Sequence, residues 1–198
     1  VTDAVGNQLV GTALPVSVQA PLAPPPQGGT TEPDPSGNVI PVAQCTIKGT
    51  DGPDKLKGTA GKDVICGLGG DDVIDGLGGD DVIDGADGND QIVGGGGKDR
   101  LEAGKGNDRV SGGSGNDRIN GGAGNDRIDA GAGDDQVSGK GGDDDITGGA
   151  GKDSLSGGAG KDTLRAKDGA KDTVIGGGGQ DKARVDGVDS LLGIEIRL

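Results

Sequence analysis

"GGSGNDRINGGAGNDRIDAGAGDDQVS", residues 112–138, states one nine-residue unit three times. Each unit closes a glycine-rich half on an aspartate (Asp117, Asp126, Asp135), then adds a polar, an aliphatic and another polar residue. Extended outward, with the frame set at Gly49, the pattern runs unbroken through thirteen units, from 49 to 165. The fourth position is Gly in all thirteen, the sixth is Asp, and the eighth is Leu, Ile or Val. The first position is Gly except at Ala103 and Ala130. A period held this firmly decides the architecture before local propensity is consulted.

The glycine half predicts a tight turn, because Gly adopts positive φ at little steric cost. The last three residues predict a short strand. Alternate side chains in a strand face opposite sides, so position eight points inward and positions seven and nine outward. Two units then make one flattened coil: strand, turn, strand, turn. Coils stacked at about 4.8 Å, the spacing of paired strands, give a rod of roughly seven coils with an aliphatic ladder inside. The predicted class is all-β, a parallel β-roll or solenoid carrying an N-terminal β arm.

Composition makes the stacking obligatory. With 29% hydrophobic residues, no aromatics and a net charge of −14, an unrepeated chain of 198 residues would read as disordered. One buried aliphatic per nine residues does not offset the ordering of nine residues, many of them Gly. Stacking also lines up aspartates 18 apart, such as Asp99, Asp117 and Asp135, whose charges repel. A divalent cation between successive loops removes that repulsion and adds its binding energy to folding. Carboxylate and carbonyl oxygens suit Ca²⁺. With no His and two Cys, the usual ligands of Zn²⁺ are lacking.

"GGSGNDRIN" (112–120) and "GGAGNDRID" (121–129) resemble, at every fixed position, the RTX nonapeptide GGxGxDxUx of calcium-binding parallel β-rolls. The resemblance implies that loop carbonyls and the sixth-position aspartates hold Ca²⁺ between stacked turns. Those residues are Asp54, Asp63, Asp72, Asp81, Asp90, Asp99, Asp108, Asp117, Asp126, Asp135, Asp144, Asp153 and Asp162, continued by Asp172 and Asp181. Stacked pairs on two edges imply on the order of eleven to thirteen ions. The start, "CTIKGTDGPDKLKGTAGKDVICGLGGDDVI", also resembles that family, and the resemblance implies a Cys45–Cys66 disulfide pinning the first coil. The alternative is two free thiols.

Departures from the pattern carry their own expectations. "GTDGPDKLK" (49–57) lacks the second Gly and puts Pro53 in the loop, so its site should be weak. Asp71 and Asp80 add acids at position five, read as solvated rather than as outer ligands. Residues 166–175 number ten, and Lys167–Asp168 breaks the frame before Asp172 and Val174 restore it. Ala183 at the buried position marks a fading coil. The organisation expected is a β arm (1–19), a Pro-, Gly- and Thr-rich linker (20–44), the repeat roll (45–184) and a C-terminal cap (185–198). "VTDAVGNQLVGTALPVSVQ" resembles the last hairpin of an immunoglobulin-like or HYR-type extracellular repeat. Two strands do not fold alone in water. The arm therefore pairs with upstream domains of a longer parent or with a neighbouring copy by strand addition.

Other functions are disfavoured. Basic residues are scattered among acids, against nucleic acid. No apolar run of 18 residues spans a membrane. The chain opens on Val1 without a signal-peptide pattern, as a mature product or excised fragment does. Acid pairs evoke a glycosidase, but no His base, sugar-stacking aromatic or nucleophile motif accompanies them, and GxxxxGK[ST] is absent. The third loop position (Ser114, Ala123, Ala132, Gly141) lacks the hydroxyl ladder of ice-binding rolls. The outward Arg residues read as solvated, charge-balanced surface. The reading is a non-enzymatic, secreted or cell-surface calcium-binding structural protein, acting as a spacer or adhesive module. The alternative is a subunit of a Ca²⁺-stabilised filament assembled through the N-terminal arm.

Overall fold

A computed structural model describes residues 44–197, with the side chains of 196 and 197 left aside. The β arm and nearly all of the linker lie outside the described residues. Among the described residues eighteen strands, from Ile47–Lys48 to Ile196–Arg197, alternate between two nine-stranded parallel sheets. Each strand pairs with the one two places along the chain, so Arg109–Ser114 lies beside Arg127–Ala132 with Val110 opposite Ile128. The result is a parallel β-solenoid of about eight turns. None of the described segments is a helix long and apolar enough to cross a membrane.

The eighth position builds the core as its period predicts. Ile65, Ile74, Ile83, Leu101, Ile146, Leu155 and Leu164 are completely buried, in two ladders, one per sheet, where Ile65 stands opposite Ile83, Ile83 opposite Leu101, and Ile146 opposite Leu164. Ala103 and Ala130, the two exceptions at position one, also point inward and are buried. Their methyls add to the same core.

The strands are longer than the sequence pattern suggests. From Val82–Asp87 onward most span six residues, positions seven to nine plus the first three of the next unit. The added half is possible because position two takes a left-handed conformation, φ +112° at Gly113, which bends the chain while keeping the ladder bonded. Leu68, Leu77, Ala86 and Lys140 accept the same conformation despite a Cβ. The extra residue of the ten-residue segment is absorbed in the loop 167–172, and Leu155 pairs with Val174 after that loop. Ala183 is buried against Leu164. Residues 185–197 continue the roll. Ser190–Leu192 and Ile196–Arg197 extend both sheets, and Leu191 and Ile194 pack against the core.

Candidate metal centre

Position six falls where each strand leaves its loop, so its side chain turns under the loop toward the neighbouring coil. The carboxylates form two ladders, one on each edge of the roll. One oxygen of each acid accepts the backbone N–H of the acid one coil earlier. Asp99 N–H donates to Asp117 Oδ1 (2.9 Å), and Asp117 N–H donates to Asp135 Oδ1 (2.8 Å). On the other edge Asp108 and Asp126 donate to Asp126 and Asp144 in the same way. Across the insertion the spacing becomes 19, from Asp153 to Asp172 and from Asp162 to Asp181, and the ladder holds.

The second oxygen is the unusual one. In Asp72, Asp81, Asp90, Asp99, Asp108, Asp117, Asp126, Asp135, Asp144, Asp153, Asp162, Asp172 and Asp181, Oδ2 is buried and has no hydrogen-bond donor. These residues are at most 3% exposed. A backbone carbonyl closes on the same place. A Cβ built on Gly94 would stand 2.5 Å from Asp99 Oδ2 and 2.8 Å from the Gly112 carbonyl oxygen. On Gly85 the figures are 2.5 Å to Asp90 Oδ2 and 2.6 Å to the Ala103 oxygen. Carbonyls of positions two and four project from each loop against the glycines of the next, as Gly95 and Gly97 do toward Gly113 and Gly115. Gly115, at φ +122°, permits that approach.

A buried carboxylate oxygen without a donor costs free energy unless a cation meets it. Burial pushes the carboxyls of Asp90 and Asp126 up to about 7 and those of Asp108, Asp117, Asp144 and Asp153 to about 6. The N–H bonded to the ladder opposes this, and neighbouring acids reinforce it. Asp72, Asp81, Asp99, Asp135, Asp162 and Asp172 are raised for the same leading cause. Among the described residues no three acidic, His or Cys side chains converge. The donor set of any one loop is therefore one carboxylate plus backbone carbonyls, which are hard oxygens suited to Ca²⁺.

Asp54 and Asp63 stand apart. Their Oδ2 atoms accept from the N–H of Thr50 (2.6 Å) and Thr59 (2.7 Å), and from both threonine hydroxyls (2.9 Å each). Two further acids, hidden from the period by the changed spacing, end the ladders. Asp189 Oδ1 accepts from Asp172 N–H and its Oδ2 from Asp186 N–H, while Glu195 accepts from Asp181 N–H. Asp71 and Asp80 belong to a rim ladder at position five, accepting from the N–H groups of Asn89 and Lys98. Asn89, Asn107 and Asn125 continue that rim. Cys45 and Cys66 form a disulfide.

Residues 46–74, 67–101, 75–110, 102–137, 111–146 and 138–170 match the RTX calcium-binding nonapeptide repeat. The chain belongs to the RTX family. A search of curated proteins finds no match. RTX nonapeptide repeats bind Ca²⁺, and the buried aspartate series of this RTX chain fits the repeat.

Proposed function

We propose that this RTX chain is an extracellular structural protein whose roll folds on binding Ca²⁺, serving as a spacer or adhesive module. The carrying observation is the set of thirteen buried, donorless Oδ2 atoms from Asp72 to Asp181. Those aspartates are the side-chain ligands in this reading, with loop carbonyls completing each site. Bound calcium supplies positive charge between carboxylates that otherwise repel. Without it, desolvated acids oppose a core of single aliphatics, and the chain expands. Asp54 and Asp63, engaged by threonine, are left out of the ligand set. An RTX β-roll is typically structural rather than catalytic. The disulfide fits an oxidising exterior, where millimolar calcium is also found.

Sedimentation velocity of the metal-free chain during calcium titration tests the reading. Compaction, with several ions bound per chain, is the expected result. A sedimentation coefficient that calcium leaves unchanged overturns it. Compaction followed by growth into long species would move the role toward the filament.

A further inference from the structure

The first coil differs from the coils between Leu68 and Gly160 in three independent ways. Its loops have another backbone. From Leu68 to Gly160 the loops carry positive φ at positions two and four, whereas Thr50, Gly52, Thr59 and Gly61 do not. Its acids are satisfied by protein, because each threonine directs its N–H and hydroxyl onto the Oδ2 that is donorless in the following coils. Its ends are joined covalently. Cys45–Cys66 links the residue two before Ile47–Lys48 to the end of Val64–Cys66, the strand it pairs with. Thr46 also exchanges hydrogen bonds with Val64, its N–H and hydroxyl donating to the carbonyl and its hydroxyl accepting the N–H. Pro53 occupies the position whose N–H, in later coils, donates to the preceding rim residue. Proline has no N–H to be paired there.

We propose that residues 45–66 form a metal-independent coil that templates calcium-driven addition of the coils after it. The threonines plug the first two cradles, so the ion sites begin at Asp72. The proposal rests on the calcium reading for the later coils only. A parallel coil needs a formed neighbour before its own hydrogen bonds are made, so the first coil sets the nucleation barrier. Closing a loop of this length by a disulfide favours the closed form by about a hundred-fold in the chain-entropy account. Chain held reduced would lack that seed, which couples assembly of the roll to oxidation as well as to calcium.

Hydrogen exchange on the full oxidised chain in EGTA, then in calcium, tests this. The expected result is slowed exchange at Thr46, Gly49, Thr50 and Thr59 in EGTA, while residues 82–160 exchange as an unfolded chain. Cys45→Ser/Cys66→Ser should lose that protection and fold up to about a hundred-fold more slowly after calcium addition. Thr50→Gly/Thr59→Gly should bind up to two more ions per chain. Free exchange of 45–66 in EGTA, with protection arriving together with the rest of the roll, overturns the template and leaves the calcium reading intact. An unchanged ion count in the threonine variant overturns the plug. Calcium that protects nothing in 82–160 sinks the calcium reading, and exchange of 45–66 in EGTA then still decides the metal-free coil.

Discussion

Asp117→Asn separates the two oxygens of one ladder carboxylate. Asp117 Oδ1 accepts the Asp99 N–H, and an asparagine oxygen can keep that bond. Oδ2 is buried without a donor, and an amide NH₂ there carries no charge to desolvate. Burial pushes the Asp117 carboxyl up to about 6, so holding it ionised at pH 7 costs the metal-free roll about 1–2 kcal/mol after solvent screening at the loop edge. The variant should recover that amount without metal. In calcium at 100 times the dissociation constant, one site contributes about 2.7 kcal/mol, so its loss, offset by that recovery, leaves the variant about 0.7–1.7 kcal/mol less stable than the parent. The effect changes sign with calcium. Asp117→Ala also strands the Asp99 N–H and should therefore be about 1–3 kcal/mol less stable than Asp117→Asn in both conditions. With no aromatic residue in the chain, unfolding is best followed by far-ultraviolet circular dichroism. Urea titrations would be run in EGTA with a protecting osmolyte and again in calcium. If Asn destabilises the metal-free roll, or Asn leaves the ion count unchanged, the reasoning about Oδ2 is refuted.

Acid should partly replace calcium. The raised ladder carboxyls bind more protons in the folded than in the unfolded state between about pH 4 and 7, so metal-free stability should rise as pH falls through that window. Calcium affinity should weaken over the same window as protons compete, and a metal-free melting midpoint lower at pH 5 than at pH 7.5 would contradict the assignment. Ile128→Ala should cost about 2–5 kcal/mol in calcium, against less than about 0.5 kcal/mol for half-exposed Val93→Ala, as urea midpoints would show. Asn107→Ala removes the acceptor for Asn125 N–H and should cost about 0.5–1.5 kcal/mol with no change in the calorimetric ion count.

The solenoid was legible in the sequence because a nine-residue period leaves each unit one way to bury its single aliphatic. Ile119, Ile128 and Val137 announce the core by spacing alone, and Asp117, Asp126 and Asp135 announce an acid at a fixed place in each loop. The one-residue insertion near Asp168 was equally visible, since it leaves the restored frame at Asp172 and Val174 intact. Strand length was not visible, because the first three loop residues join the sheet only through hydrogen bonds to the coil beneath. Nor was the fate of the second carboxylate oxygen. Asp54 and Asp117 occupy identical positions in their units, yet Oδ2 of Asp54 accepts from threonine and Oδ2 of Asp117 from nothing. Asp189 and Glu195 lie outside the frame and become rungs because the chain returns them to the ladder at separations of 17 and 14 residues. Period, core and fold class follow from local repetition, which sequence records directly. Which oxygens lack a partner depends on the φ of loop residues and on atoms a full coil away, and only the stacked structure brings those together.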